Sequence, residues 1–377
     1  MATAAVTGAH LLTHPVDAAD PECPTRIRSC RDSLRLCVQF PACVTSPAEV
    51  RRSSPSSSRC MMPGAVTIDP LHLVAVAGGT HGNEMSGVAL VKYWLKDPSA
   101  LVRDTFTAVP LLANPKATEK GVRYYQRDLN RCFTRDILFS SESQDEPYEV
   151  KRAREINQVF GPRGSINAYD VILDLHNSTS NMGACLIVSE AQRPLEMHAC
   201  RYIQTHLPSL NPLIYVYAEP GCELYDLCSV SKAGIGFELG PQPHGVVRGD
   251  TLQNMKTLVK VTLDFINLLN QGIEFPAFEV DVYQRVGHVN FPLTPDGELS
   301  AAIHPSLQDG DFSLLHPGDP VFLTLDDKII PYTGDKPVYV VFINEAAYYE
   351  KNVAFILAEK VNVSVPALSS RGGKGPL

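Results

Sequence analysis

Short apolar runs alternate with amphipathic stretches from residue 71 onward, and this alternation predicts the order of strands and helices. The apolar runs, which are rich in branched aliphatic residues as strands are, lie at residues 71–77, 106–114, 169–176, 184–189, 213–218 and 234–240. Helical periodicity occurs at residues 88–95, 148–160 and 252–270. The pattern predicts an α/β fold, in which a mixed central sheet is flanked by helices.

The pattern changes after Phe275. Residues 304–325 and 337–343 contain β-like segments that are short and broken by Pro, Gly and Asp. We therefore expect a catalytic domain at residues 71–275, a smaller β-rich domain at 276–365 and a flexible tail at 366–377.

The first 70 residues differ in composition from the rest of the chain. The run Arg51–Arg59 contains five serines and one proline but no large apolar residue, so it cannot contribute to a core. We expect residues 1–70 to be a disordered N-terminal extension. Arginine and serine are also common in mitochondrial transit peptides, although acidic residues such as Asp17 and Asp20 argue against targeting.

Composition and charge exclude several classes of protein. The chain has 377 residues, of which 44% are hydrophobic and 20% charged, and a formal net charge of -8. These values are ordinary for a globular protein and argue against a nucleic-acid partner. No apolar run approaches the roughly 20 residues that span a bilayer, so we expect no transmembrane segment and a cytoplasmic protein.

Polar residues directly follow three of the predicted strands. His81 and Glu84 lie in GGTHGNE after the first strand, His176 ends another, and Glu238 lies in GIGFELG. Ligands of open α/β sheets bind beyond the carboxyl ends of the strands. Two imidazoles and one carboxylate form a catalytic zinc site when the fourth position is open to water. His81, Glu84 and His176 are thus candidate zinc ligands, and Glu238 is a candidate base.

Each of these residues also has a simpler explanation. An isolated HxxE is common by chance, and His176 alone could be a hydrogen-bonded core histidine. The glycines around His81 indicate a tight strand-to-helix turn. A carboxylate in an apolar, glycine-flanked strand is either an unfavourable burial or a functional group with a raised pKa. Taken together, the residues favour a site.

A second cluster is cationic. The segment GVRYYQRDLNR contains Arg123, Arg127, Asp128, Asn130 and Arg131. These charges could simply pair with one another in solvent. Arginine also suits bidentate binding of a carboxylate and stabilisation of an oxyanion, which would indicate an anionic substrate. Near the C-terminus, INEAAYYEK contains two tyrosines, and the residues alone do not decide whether either belongs to a site.

Six segments occur in the order found in the aspartoacylase family, and the chain resembles this family over residues 71–365. The segments are GGTHGNE, DLNR, DLHNSTSNMG, ELGPQPHGVVR, HPSLQD and INEAAYYEK. Within the family, the chain most resembles the branch of aminoacylases that prefer aromatic substrates. The resemblance implies a zinc-carboxypeptidase-like domain followed by a C-terminal β domain.

The resemblance also implies a role for each candidate residue. One zinc ion per subunit would be bound by His81, Glu84 and His176, and Glu238 would be the general base. Arg123 would polarise the scissile carbonyl. The substrate carboxylate would be held by Asn130 and Arg131, with Tyr348, the first tyrosine of the pair, also reaching the substrate. The family further implies a homo-oligomer and, for the aromatic-preferring branch, peripheral association with the apical membrane.

Two departures from the family pattern bear on the substrate. Aspartoacylase-like sequences have an arginine ten residues before the base and a lysine shortly after the tyrosine pair, where this chain has Cys228 and Asn352. Loss of both cations would leave the side-chain carboxylate of an aspartyl substrate unpaired, although the nearby Asp226 complicates the local charge. The expected substrates are therefore N-acetylated aromatic amino acids and S-substituted N-acetylcysteines (mercapturates).

Three alternatives stay open at this stage. The chain could be an aspartoacylase with relocated cations, or a zinc-binding scaffold without activity. It could also cleave peptides as carboxypeptidases do, which would need an open cleft. Retention of the ligands, the base and Arg123 argues against the scaffold.

Overall fold

The computed structural model describes residues 64–141, 143–218 and 222–371. The predicted disordered extension lies outside the described residues up to position 63. Six α-helices occur in the described part of the chain: α1 (Met85–Trp94), α2 (Pro115–Lys120), α3 (Arg135–Phe139), α4 (Tyr148–Phe160), α5 (Pro194–His206) and α6 (Gly249–Asn270). None of these helices is both long and apolar enough to cross a membrane.

The same residues form fifteen strands: β1 (Val66–Ile68), β2 (Val74–Gly78), β3 (Val109–Leu112), β4 (Val171–Asn177), β5 (Gly183–Val188), β6 (Leu213–Val216), β7 (Ala233–Gly240), β8 (Phe278–Asn290), β9 (Ala301–Ile303), β10 (Leu314–Leu315), β11 (Pro320–Thr324), β12 (Ile329–Pro331), β13 (Val338–Val341), β14 (Val353–Val365) and β15 (Leu368–Ser370). Ten of them join one sheet in the order β10-β13-β14-β8-β6-β5-β7-β4-β2-β3.

The sheet is mixed, as the sequence pattern predicts. Strands β3, β2, β4 and β7 are parallel neighbours, β5 pairs antiparallel with β7, and β6 is parallel to both β5 and β8. The parallel block brings the carboxyl ends of β2, β4 and β7 to one edge of the sheet. The side chains that follow these strands are thereby gathered in one place.

Helices cover both faces of this sheet. Val74 and Val76 of β2 pack with residues of α1, α5 and α6, whereas Ala75 and Ala77 pack on the opposite face with α3 and α4. Alternate side chains of a strand point to opposite faces, so a continuous apolar run is the expected pattern for a strand buried on both sides. The α/β prediction is confirmed.

The C-terminal part is β-rich, but its longest strands differ from the prediction of short, broken segments. β8 and β14 each contain 13 residues and pair antiparallel along their length. The shorter strands between them are separated by segments that contain proline, glycine and aspartate. A separate apolar cluster, which includes Phe291, Phe322 and Phe355, stabilises this part.

The predicted limits of the ordered chain are wrong at both ends. β1 lies inside the predicted extension and pairs in parallel with β15, which lies inside the predicted tail. The reason is burial, because Leu368 is 1% exposed and packs in the same apolar cluster as α6. Helix α5 was not predicted, and its buried face includes Met197, Cys200 and Ile203. The internal boundary at residue 275 stays a prediction.

Candidate active site

Four candidate residues meet at the carboxyl edge of the parallel strands. His81 and Glu84 follow β2, whereas His176 and Glu238 lie near the ends of β4 and β7 and are register partners across the two strands. All three candidate metal ligands are buried, with exposures of 3–5%. The sheet therefore assembles residues that are up to 157 positions apart in sequence, from 81 to 238.

The turn between β2 and α1 places His81 and Glu84 and depends on glycine. Gly79 has a φ of 71°, a backbone conformation that residues with a Cβ rarely adopt. Gly82 passes so close to Ala117 that a Cβ would lie 2.1 Å from its carbonyl carbon. The glycine-rich pattern thus reports both an unusual backbone angle and a close contact with α2.

The geometry of His81, Glu84 and His176 is one that could hold a metal ion. Their ligand atoms all lie within 4.8 Å of one another. The Nδ1 atoms of the two histidines are 3.2 Å apart and contact opposite oxygens of Glu84, at 2.6 Å for His81 and 2.8 Å for His176. Two imidazole nitrogens and one carboxylate are a donor set that divalent transition metals, zinc among them, accept.

A further carboxylate contacts the other nitrogen of each histidine. Asp128 Oδ1 lies 3.1 Å from His81 Nε2, and Asp174 Oδ2 lies 2.8 Å from His176 Nε2. Metal-binding histidines usually donate their second N–H to such a carboxylate, which fixes the ring and the tautomer. This arrangement directs both Nδ1 atoms toward the shared site, and it supports the fit of the residues to a metal.

Opposing charges shift the pKa values of these groups. Burial alone would raise the pKa of Glu84, but the two imidazoles outweigh burial and hold it well below its usual range. Burial disfavours the charged form of His176, but Asp174 and Glu84 raise its pKa well above the ordinary value. The cluster thus holds concentrated negative charge that a cation can compensate.

Glu238 has the opposite shift. Burial is the largest cause that raises its pKa well above the ordinary value, and the negative charge of Glu84 adds to it. A carboxyl group with a raised pKa beside a metal site can both accept and donate a proton near neutral pH. This behaviour suits an acid–base residue.

Arg123 joins the cluster through two ion pairs. Its NH1 donates to Glu84 Oε1 at 3.2 Å, and its NH2 donates to Asp128 Oδ2 at 3.1 Å. A cavity of about 300 Å³ opens beside the guanidinium and is also lined by Asn83, Val122, Tyr124, His244, Ala346, Ala347 and Glu350. A permanent cation therefore lies between the metal site and space for a ligand.

Two family models match successive parts of the chain. The succinylglutamate desuccinylase/aspartoacylase catalytic domain matches residues 70–266, and the AstE/AspA barrel-sandwich hybrid domain matches residues 278–360. The chain belongs to this family. The predicted membership and the predicted two-part fold are thus confirmed.

Individual members of the succinylglutamate desuccinylase/aspartoacylase family are similar over most of their length. The N-acyl-aromatic-L-amino acid amidohydrolase (carboxylate-forming) of Rattus norvegicus is 52% identical over 82% of this chain and 96% of its own. Mouse aspartoacylase is 45% identical over 82% of this chain and 99% of its own. The crystal structure of murine aminoacylase 3 superposes with a TM-score of 0.79 at 51% identity, covering 80% of this chain and all of that one.

The remaining candidates are Asn130, Arg131 and Tyr348. Asn130 Oδ1 accepts a hydrogen bond from the amide of Leu227 at 2.9 Å, which orients its amide group. The guanidinium of Arg131 lies 4.5 Å from the ring centre of Tyr225. Burial raises the pKa of Tyr348, whose ring centre lies 5.6 Å from that of Phe342.

Cys228 and Asn352 provide no cation at the two positions that depart from the family pattern. The Cys228 thiol contacts the carbonyl of Ile172, a residue of β4, at 3.6 Å. Asn352 follows the short 3-10 helix Ala346–Lys351 and has a φ of 57°. Its side-chain amide donates a hydrogen bond to the carbonyl of Phe291 at 3.1 Å. Asparagine is favoured at such left-handed cap positions, which explains the asparagine at position 352.

Glu345 also belongs to this neighbourhood and was not predicted from the sequence. It is 4% exposed and accepts hydrogen bonds from the amides of Thr179 and Ser180 and from the hydroxyl of Ser178, which follow His176 and β4. It also caps the 3-10 helix that carries Tyr348. The only signal in the sequence is its position in INEAAYYEK, next to residues already under consideration.

Proposed function

We propose that this chain is a zinc-dependent amidohydrolase that releases the acyl group from N-acylated aromatic amino acids and S-substituted N-acetylcysteines. The observation that carries the proposal is the convergence of two histidines and Glu84 beside Glu238 and Arg123. The 52% identity to a rat enzyme named for N-acyl-aromatic amino acids supports the substrate class.

The proposed zinc ligands are Nδ1 of His81, the carboxylate of Glu84 and Nδ1 of His176. When bound, zinc supplies a Lewis acid that lowers the pKa of water and polarises a carbonyl oxygen. The carboxylates of Asp128 and Asp174 hold the imidazoles in the orientation that this ligation needs.

Glu238 and Arg123 carry out the chemistry that the protein itself contributes. Glu238 takes one proton from the attacking water while the water oxygen bonds to the carbonyl carbon of the amide. Arg123 stabilises the negative charge that develops on the carbonyl oxygen. Protonated Glu238 then delivers its proton to the amide nitrogen as the C–N bond breaks. The products are a free carboxylic acid and a free amino acid.

The substrate is proposed to be held at its carboxylate and at its side chain. The amide group of Asn130 and the guanidinium of Arg131 bind the α-carboxylate, with the Tyr348 hydroxyl beside them. The rings of Tyr225 and Tyr348 offer an apolar surface for an aromatic or thioether side chain.

The test compares kcat/KM of the zinc-loaded full chain on N-acetyltyrosine and N-acetylaspartate, with Glu238→Gln as the control. We expect a preference for N-acetyltyrosine that is lost in the Glu238 variant. A preference for N-acetylaspartate would keep the zinc chemistry and refute the substrate class, and it would favour the aspartoacylase alternative. If Glu238→Gln hydrolyses the two substrates as fast as the wild type does, the mechanism is refuted. If the wild type hydrolyses neither substrate, a scaffold is favoured.

A further inference from the structure

Glu149 is a fully buried carboxylate to which the proposed reaction gives no role. It lies in the first turn of α4 and is 0% exposed. A carboxylate at such a position is strongly unfavourable unless hydrogen bonds compensate the lost water. Its partners therefore indicate what it does.

The partners of Glu149 are consecutive backbone amides of the loop that precedes α3. Its Oε2 accepts hydrogen bonds from the amides of Gln126 and Arg127, both at 3.1 Å, and its Oε1 accepts from the amide of Tyr125 at 2.5 Å. The side-chain amide of Asn114 donates to Oε1 at 3.2 Å. Successive amides that converge in this way form an anion-binding nest, which is here occupied by a residue of the same chain.

The three amides lie between two residues of the active site. Arg123 precedes them by two positions, and Asp128 follows them directly. Asp128 contacts both Arg123 and the Nε2 atom of His81. The carbonyl of Arg123 also accepts a hydrogen bond from the amide of Gly82 at 3.2 Å, next to His81. The loop thus connects Glu149 to the cation and to one metal ligand.

We propose that Glu149 is a positioning residue, whose buried carboxylate holds the segment 123–128 so that Arg123 and Asp128 face the metal site. The proposal rests on the proposed function, because it assumes that Arg123 stabilises the transition state. Without the carboxylate, the three amides would have to turn toward water, and this turn would displace the residues on either side of them.

The effect should fall on kcat more than on KM. An interaction that strengthens only in the transition state affects kcat, whereas the α-carboxylate contacts of Asn130 and Arg131 lie beyond this segment. Displacement of Asp128 should also weaken metal binding, because His81 would lose the partner of its Nε2 atom.

The first variant is Glu149→Gln in the full chain. It keeps the shape and one acceptor oxygen, but its NH2 group cannot accept from the pair of amides that it faces. From the usual effect of losing an outer-shell partner, we expect kcat to fall about 10- to 100-fold and zinc to dissociate faster. The matched control is Glu155→Gln on the same helix, an exposed residue paired with Arg152, which should leave kcat and zinc affinity unchanged.

A double-mutant cycle with Arg123→Lys tests whether Glu149 acts through Arg123. If it does, Glu149→Gln should reduce kcat much less in the Arg123→Lys background than in the wild type. An equal reduction in both backgrounds, or a wild-type kcat in Glu149→Gln, would overturn the proposal. Ile156→Val, which removes a methyl group from the core beside α4, is the control for loss of stability alone and should leave kcat unchanged.

The failure of this proposal can be distinguished from the failure of the proposed function. If the wild type does not hydrolyse N-acetyltyrosine, the proposed function fails, and hydrogen exchange of the amides of residues 125–127 still tests Glu149. We expect these amides to lose protection in Glu149→Gln and to retain it in Glu155→Gln. Unchanged protection in Glu149→Gln would overturn the positioning role independently of catalysis.

Discussion

Replacement of Asp174 by asparagine should weaken metal binding while preserving the fold. Asp174 is 2% exposed and lies on β4, two residues before His176. Its Oδ2 contacts His176 Nε2 at 2.8 Å, and its Oδ1 accepts from the hydroxyl of Thr80 at 2.7 Å. Asparagine has nearly the same shape, so the main change is the loss of the negative charge and of one acceptor.

The magnitude follows from what the carboxylate does for the imidazole. With a metal bound, Asp174 would accept the Nε2–H of His176 and leave Nδ1 to the metal. An amide fixes this tautomer less well and makes the ring less basic. Loss of such an outer-shell partner typically costs about 10- to 100-fold in metal affinity, or about 1.4–2.7 kcal/mol.

The assay is competition for zinc with a chromophoric chelator, performed on Asp174→Asn, the wild type and Asp281→Asn. Asp281 is an exposed aspartate on β8 that pairs with Lys360, so its variant should bind zinc as the wild type does. Thermal unfolding of the metal-free proteins separates metal affinity from stability. Equal zinc affinities of Asp174→Asn and the wild type would refute the idea that this carboxylate orients His176.

Three other perturbations should have measurable effects. Glu345→Ala should lower the free energy of unfolding by about 2–5 kcal/mol in urea titrations, since it leaves two or more buried donors after β4 unpaired; a loss below about 1 kcal/mol would contradict this. Burial raises the pKa of Asp311 to about 7, so protonation of this carboxyl stabilises the fold at low pH, and the stabilisation is lost as pH rises through about 7. Relative to Asp311→Asn, wild-type stability should therefore fall between pH 5 and 7 by at most about 1.4 kcal/mol per pH unit, and parallel pH profiles would count against it. Gly82→Ala should reduce both stability and zinc content, because its Cβ would lie 2.1 Å from Ala117; a melting temperature equal to that of the wild type would show that the turn can relax.

The positions of the central strands along the chain and the main candidate residues were predictable because their signals are local. A continuous apolar run such as Val74–Gly78 reports burial on both faces of a sheet, and a histidine directly after it lies at the carboxyl edge in any parallel arrangement. The glycines beside His81 reported a tight turn for the same reason, since φ and close contact are properties of single residues. The long strands β8 and β14 were not predicted because they alternate apolar and polar residues over part of their length, whereas the predicted strands were continuous apolar runs.

The sequence by itself thus determined the α/β class, the family and the residues that could bind a metal. Only the tertiary structure decided which other groups support them, because hydrogen bonds between distant segments leave no periodic signal in the chain. Glu149 has the sequence context of an ordinary helix-surface glutamate, yet it is buried against three loop amides. β1 and β15 pair across 302 positions, as Val66 with Leu368, and both strands pack against the apolar cluster that contains residues of α6.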